Sequence, residues 1–123
     1  MDQVKIKIPA SPAYLRVVRL ATAGLAARLG FTIDEIEDLK IGVDELAAYL
    51  TGAQGRDGQL ELTFTILEDK IEIKGIGYLA PGQKTRTQLT EVSRMILSTV
   101  VDTAELTQPD GHPVFALSKA RRP

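Results

Sequence analysis

The residues best suited to chemistry lie on one predicted helix and near the end of one predicted strand. Glu45 offers a carboxylate that can accept a proton, and Tyr49 follows four residues later on the same helix face. Gly75-Ile76-Gly77 ends a strand with two glycines, a pattern that usually makes a turn. Lys84 and Arg86 stand near a predicted helix start, where backbone amides and positive charge can hold an anion. Solvated loop charge is the simpler explanation of that pair.

The composition favours an ordinary globular domain and excludes several classes of site. With 123 residues, 44% of them hydrophobic and 25% charged, the chain suits one domain spanning 1–123. A net charge of −1 gives no general attraction to nucleic acid or anionic lipid. Without cysteine there is no disulfide, thiol nucleophile or cysteine zinc site, and His112, the single histidine, argues against a metal cluster. We therefore expect no metal site.

The amino-terminal region shows no targeting or membrane signal. Met1 leads into Val4-Lys5-Ile6-Lys7-Ile8, whose alternation predicts a half-buried strand rather than a signal-peptide core. Apolar runs stay well short of the roughly 20 residues that a membrane span requires. The expected location is the cytoplasm, with no membrane partner.

Two helices are predicted after the first strand. Ser11-Pro12 is a typical helix start, and apolar spacing continues the first helix to Gly30. Thr32-Ile33-Asp34-Glu35 is a capping box that begins the second helix, which should end at Thr51-Gly52. The outward face of Glu45 and Tyr49 on this helix is apolar, so it is either the wall of a former ligand pocket or a second packing surface.

The second half of the chain predicts two hairpins separated by a helix. Strands over 60–66 and 70–73 should pair as an antiparallel hairpin, followed by an irregular loop from Gly75 to Thr85. The third helix should run from Thr85 to about Val101, before a hairpin of 104–106 and 114–117. The order βααββαββ predicts an α+β two-layer sandwich, with three helices on one face of a mostly antiparallel mixed sheet.

The first helix has the composition of a protein interface. Between Tyr14 and Leu29 it contains arginines but no acidic residue, and Leu20 and small residues lie away from its core stripe. Apolar area flanked by arginine is typical of interfaces. Arg16, Arg19 and Leu20 are therefore candidate partner-binding residues, unless another helix of the chain covers this face.

Three stretches carry a resemblance to a known family: residues 8–16, 31–45 and 96–102. The middle stretch is the most specific, because it matches the helix entry and the run up to a functional glutamate. The chain resembles the anti-sigma-factor serine kinases of bacterial partner-switching systems, which have the histidine-kinase-like ATPase (Bergerat) fold. The resemblance implies that fold for nearly the whole chain.

The same resemblance implies a nucleotide site that has lost essential residues. Glu45 matches the general base of the family, but its magnesium-binding Asn is replaced by Tyr49 and its adenine-binding Asp by Ile73. A phenol is a poorer magnesium ligand than an amide oxygen, and an isoleucine cannot accept a hydrogen bond from adenine. The glycine-rich segment before the last helix is also missing, since residues 85–92 contain no glycine. The expected degenerate pocket comprises Glu45 as a remnant base with Tyr49, Ile73, Gly75, Gly77, Lys84 and Arg86.

The predicted function is a regulatory protein-binding module similar to an anti-sigma factor. By the resemblance its partners are a sigma factor, an anti-anti-sigma factor or both, Arg19 matches a partner-contacting arginine, and a homodimer is expected. No cofactor is expected beyond weak binding of ATP and Mg²⁺. Two alternatives remain: a divergent ATP-dependent serine/threonine protein kinase that uses Glu45 as base, and a structural subunit that binds an unrelated protein.

Overall fold

Residues 1–122 fold into five strands and three helices, in the order that the sequence predicts. The computed structural model describes residues 1–122. The elements are β1 (Asp2–Pro9), α1 (Leu15–Arg28), α2 (Ile33–Thr51), β2 (Gly58–Ile66), β3 (Lys70–Leu79), α3 (Glu91–Val100), β4 (Thr103–Thr107) and β5 (Val114–Ala120). Single 3₁₀ turns at Pro12–Tyr14 and Pro109–Gly111 precede α1 and β5.

The five strands form one sheet in the order β1-β2-β3-β5-β4, and every neighbouring pair is antiparallel. The α+β prediction is confirmed, whereas no parallel pair of the expected mixed sheet occurs within residues 1–122. Helix α2 packs between α1 and α3 and also against β3 and β5. Its apolar stripe and the inward side chains of the central strands form the core, which includes Leu46, Leu50, Phe64, Ile73 and Phe115.

The opposite face of the sheet is open and polar. A shallow cavity of about 600 Å³ lies there, and Lys5, Thr63, Glu72 and Lys74 are among its lining residues. No helix within the described part of the chain is both long and apolar enough to cross a membrane.

The capping box that the sequence predicts at the start of α2 is present. The Glu35 backbone N–H donates to Thr32 Oγ1 at 3.1 Å, and the Thr32 N–H donates to Glu35 Oε1 at 2.8 Å. Two of the free amides at the helix start are thereby satisfied. This fixes where α2 begins, and hence which residues of α2 face outward.

Helix α3 begins later than predicted, at Glu91 with Thr90 as its N-cap. Thr90 Oγ1 accepts a hydrogen bond from the Ser93 N–H at 3.1 Å. The expected start at Thr85 was wrong. Thr85 and Thr90 are both suitable N-cap residues by sequence, but it is Thr90 whose backbone N–H donates a hydrogen bond to Tyr49 of α2. Residues 80–90 are a connecting segment without regular structure.

Strand β3 extends through both glycines that were predicted to start a loop. Gly75 pairs with Phe115 and Gly77 lies opposite Leu60, so the strand continues to Leu79. A Cβ on Gly75 would overlap the ring of Phe115, which is fully buried. The glycine is therefore required for close packing inside the sheet, and not for a turn.

Candidate functional site

A cleft of about 330 Å³ lies where the outer face of α2 meets the start of α3. Glu45 and Tyr49 enter it from successive turns of α2, because residues four apart lie on one helix face. Thr90 and Ser93 enter it from the first turn of α3. The remaining lining residues are Ala48, Gly52, Arg56 and Arg86.

A chain of hydrogen bonds ties the two helices together across this cleft. The Tyr49 hydroxyl donates to Ser93 Oγ at 2.6 Å and accepts from the Thr90 N–H at 2.9 Å. Ser93 Oγ in turn donates to Glu45 Oε2 at 2.6 Å. The Glu45 carboxylate thus holds a serine hydroxyl of its own chain, and the phenol satisfies one of the free amides of α3.

These contacts also affect the ionisation of the phenol. Burial by itself raises the pKa of Tyr49, but its hydrogen bonds with Ser93 and Thr90 outweigh burial and lower that pKa below the usual value. The charge of Glu45 acts in the opposite direction, against ionisation. The hydroxyl is therefore an integral member of the network.

Arg56 is held in a defined position at the wall of the cleft. Its Nη1 donates to the Tyr49 carbonyl at 3.1 Å, near the end of α2. Its guanidinium lies over Gly52, where a Cβ would come within 3.2 Å of three guanidinium atoms. Gly52 has a positive φ of 65°, so a side chain is disfavoured there by backbone conformation as well. Arg86 lies on the more exposed rim, in the segment before α3.

The structure brings together only part of the predicted pocket. Glu45, Tyr49 and Arg86 line the cleft, whereas Ile73, Gly75, Gly77 and Lys84 do not. Ile73 is 1% exposed on the core face of β3, between Phe64 and Leu117 in the sheet.

The two glycines lie in the same part of the sheet, away from the cleft. Gly75 faces Phe115, and a Cβ on Gly77 would meet Pro113, Leu79 and Leu50. Lys84 is exposed in the segment before α3. The sequence led us to expect Tyr49 and Ile73 in one pocket. In the structure Tyr49 lines the cleft and Ile73 does not.

Three residues of the cleft were missed at the level of sequence: Arg56, Thr90 and Ser93. Thr90-Glu91-Val92-Ser93 has the pattern of a helix N-cap, which is a local signal that could have located two of them. Arg56 follows α2 in a turn-rich segment and has no such signal, because its position depends on contacts with Gly52 and Tyr49.

The surface of α1 differs from expectation at one of its three candidate residues. Arg19 Nη1 forms an ion pair with Asp44 Oδ1 of α2 at 3.1 Å, so this arginine is not unpaired. Arg16 and Leu20 stay exposed, and Leu20 is 67% exposed. Helix α2 therefore covers the Arg19 side of α1 and leaves the side with Leu20, Gly24 and Ala27 open.

The comparison with solved structures identifies the fold independently of sequence. The chain is similar to the RsbW domain in the crystal structure of the RsbU and RsbW domains of Rv1364c from Mycobacterium tuberculosis. The TM-score is 0.72 at 18% sequence identity, over 100% of this chain and 34% of that one. At this identity the likeness establishes the histidine-kinase-like ATPase fold and nothing further.

The comparison with curated proteins gives the family. No family model matches the chain. The serine-protein kinase RsbW of Bacillus pumilus is 40% identical over 78 residues, which are 59% of this chain and 48% of that protein. RsbW of Bacillus subtilis is 39% identical over 75 residues, and this chain spans about half the length of both relatives. An RsbW of Bacillus licheniformis is 31% identical over 121 residues, which are 82% of this chain and 75% of that protein. On the strength of that relative, the chain belongs to the RsbW family of serine-protein kinases.

Proposed function

We propose that this protein is a regulatory binding module of a partner-switching system and that it has lost protein kinase activity. It sequesters a sigma factor or engages an anti-anti-sigma factor through the open side of α1, as a homodimer. Membership of the RsbW family supports the regulatory role. The loss of kinase activity is supported by the residues of the α2–α3 cleft.

The observation that carries this proposal is the engagement of the Tyr49 hydroxyl. By the resemblance, this position holds an amide that binds magnesium. Magnesium requires hard oxygen ligands in near-octahedral geometry, and the phenol oxygen here is already bonded to Ser93 and Thr90. The residues present therefore do not fit Mg²⁺, and we derive no phosphoryl transfer through it.

The adenine position supports the same conclusion. Ile73, which replaces the adenine-binding carboxylate, lies in the core of the sheet and has no polar side-chain atom. An adenine amine placed against it would lose a hydrogen bond, at a cost of about 1–3 kcal/mol. Specific affinity for ATP should be correspondingly low.

A divergent protein kinase is the second candidate, and one contact favours it. Glu45 Oε2 accepts a hydrogen bond from the Ser93 hydroxyl at an oxygen–oxygen distance of 2.6 Å, so the carboxylate is placed to bind a serine hydroxyl. A general base must lie within hydrogen-bond reach of the proton that it abstracts. In a kinase, a substrate serine would have to displace Ser93 from Glu45.

Calorimetric titration with Mg-ATP separates the two candidates. We expect no saturable binding below about 1 mM, since the protein lacks the side chains that would coordinate the metal and accept a hydrogen bond from adenine. A parallel incubation of the protein with radiolabelled ATP and the anti-anti-sigma factor encoded nearby should give no labelled product. A low-micromolar dissociation constant together with transfer of label would establish the kinase instead.

The partner surface is tested by a matched pair of substitutions. Leu20→Asp places a charge on the open side of α1, and Val92→Asp makes the same change at a 65% exposed position on α3. In pull-downs of the sigma factor encoded nearby, we expect Leu20→Asp to weaken binding by about tenfold or more, and Val92→Asp to leave it intact. Thermal melts should show that both variants are folded. Retained binding by folded Leu20→Asp would exclude α1 from the interface.

Arg19→Glu is less suitable for this experiment than the sequence indicated. The new carboxylate would face Asp44, so a like-charge contact would replace an ion pair. Loss of a partly exposed pair and the added repulsion should lower stability by about 1 kcal/mol, which would confuse folding with binding.

A further inference from the structure

The α2–α3 cleft contains two arginines without an acidic partner. Within residues 1–122, neither Arg56 nor Arg86 forms an ion pair with a carboxylate, whereas Arg19 on α1 does. Arg56 is only partly exposed, and its guanidinium donates one hydrogen bond, to the Tyr49 carbonyl. A guanidinium has five N–H donors, so most of the donors of Arg56 remain available.

The position of Arg56 is set before any ligand arrives. The contact with Gly52 and the hydrogen bond to Tyr49 hold its guanidinium at the wall of the cleft. An ordered arginine loses little side-chain entropy on binding, and its planar fork suits oxygen pairs of phosphate or carboxylate. This arrangement is typical of anion recognition.

The hydroxyls and helix amides of the cleft are not available to bind an anion. The Thr90 amide is bonded to Tyr49, and the Ser93 amide is bonded to Thr90 Oγ1. The hydroxyls of Tyr49 and Ser93 donate to Ser93 and Glu45 respectively. Among the side-chain donors of the cleft, only the guanidinium groups have N–H groups that are not used within the protein.

The cleft suits a group smaller than a nucleotide. Its volume of about 330 Å³ does not include the sheet positions 73, 75 and 77, which the resemblance assigns to adenine. That region is filled by Phe115 against Gly75 and by Pro113 and Leu50 around Gly77. The ligand should therefore have no nucleoside.

Charge decides which class of anion is favoured. Two guanidinium groups and one carboxylate, Glu45, line the cleft, which leaves one positive charge in excess. A phosphate group at neutral pH carries close to two negative charges and three acceptor oxygens, more than a carboxylate offers. We propose that this cleft binds a phosphate-class oxyanion through Arg56 and Arg86, without a nucleoside and without a metal ion.

Glu45 gives the proposal a distinctive signature. Its carboxylate shares the cleft with the arginines, so it opposes an anion while they attract it. Removing the arginines and removing the glutamate charge should therefore have opposite effects on affinity.

Calorimetric titration with inorganic phosphate, at constant ionic strength set by chloride, tests this site. Arg86→Ala and Arg56→Ala should each weaken binding by about tenfold, and Glu45→Gln should strengthen it by about threefold. Arg94→Ala is the matched control, because Arg94 is an exposed arginine of α3 that lies outside the cleft. If Arg56→Ala fails to fold because the contacts of Arg56 are lost, Arg86→Ala still tests the site, since Arg86 is exposed.

Acetate and Mg-ATP complete the experiment. Acetate should bind at least about tenfold more weakly than phosphate, and Mg-ATP should bind no more tightly than inorganic triphosphate. The proposal is overturned if phosphate produces no saturable heat up to about 10 mM, or if Arg94→Ala weakens binding as much as Arg86→Ala. Much tighter binding of Mg-ATP would assign the arginines to a nucleotide site. The proposal does not depend on the sigma-factor pull-down, and either can fail alone.

Discussion

Tyr49 is the residue of α2 whose side chain makes the most hydrogen bonds to the start of α3. The position faces the start of α3, as the four-residue spacing from Glu45 predicts. Its hydroxyl now bonds within the protein, to Ser93 and to the Thr90 amide. These hydrogen bonds join α2 to the start of α3.

Removal of that hydroxyl should therefore reduce stability. Tyr49→Phe leaves the Thr90 amide without its acceptor in a partly buried place and removes one hydrogen bond to Ser93 Oγ, which should lower the free energy of unfolding by about 1–2 kcal/mol. Urea denaturation followed by circular dichroism measures the change. Tyr14→Phe is the control, because Tyr14 is exposed and should shift the midpoint by much less. Equal midpoints for Tyr49→Phe and the wild type would show that the network contributes nothing.

At the scale of the elements, Gly75 leaves room on the inner face of the sheet for the ring of Phe115 on β5. The sequence presents Gly75-Ile76-Gly77 as the end of a strand, yet the ring of Phe115 occupies the space that a side chain at Gly75 would need. The strand continues, and its inner face is complete only with Phe115 in place. Gly75 is therefore needed within the strand because it has no side chain to displace the Phe115 ring.

A pair of glycine substitutions measures this difference. Gly75→Ala must displace the Phe115 ring and should lower the free energy of unfolding by about 1–3 kcal/mol. Gly24→Ala, at a helical position with no atom within 4 Å of the new Cβ, should raise it by about 0.5–1 kcal/mol. Both are measured by chemical denaturation. Two changes of the same sign would contradict the assignment of Gly75 to close packing.

The elements that the sequence predicts well are those with local signals. The capping box at Thr32 and the alternation in β2 specify α2 and one strand without knowledge of the rest. The start of α3 was misplaced, since Thr85 and Thr90 both fit locally and the Tyr49 contact that distinguishes them spans 41 residues. For the same reason Glu45 and Tyr49 could be paired from spacing, whereas the N-cap pattern locates Ser93 on α3 without revealing its contact with Glu45, and Arg56 has no local signal.

At the scale of the whole molecule, Glu35 joins the beginning of α2 to the carboxyl-terminal segment. Its carboxylate accepts from the Thr32 N–H and, through Oε2, from the Arg122 N–H at 3.0 Å. The hydrogen bond from the Thr32 backbone has the largest effect on the pKa of Glu35, and that from the Arg122 backbone the next largest. Together they outweigh burial and lower this pKa, and the charge of Lys119 lowers it further. Lys119 is itself buried and donates to the Val100 carbonyl at the end of α3.

The lowered pKa of Glu35 predicts how stability depends on pH. Because the pKa is lower in the folded than in the unfolded protein, the charged carboxylate stabilises the fold above its unfolded pKa. That contribution is lost as the pH falls below about 4.5 and through the folded value. The difference in unfolding free energy between wild type and Glu35→Gln should be constant near neutrality and shrink in acid. Glu68→Gln, in the exposed β2–β3 turn, is the control, and a difference that grows in acid would reverse the assigned sign.

The strand order β1-β2-β3-β5-β4 has a consequence for synthesis on the ribosome. By the time Leu79 has been made, the residues of three strands and two helices are present. The edge of β3 that pairs with β5 is still free, and the Phe115 ring that packs on Gly75 has not yet been made. β5, which covers both, is made some 35 residues later. A nascent chain stalled before Val114 should therefore expose apolar surface and a strand edge that chaperones recognise. The sheet is therefore expected to be completed only after β5 has left the exit tunnel, well after the capping box at Thr32 can form.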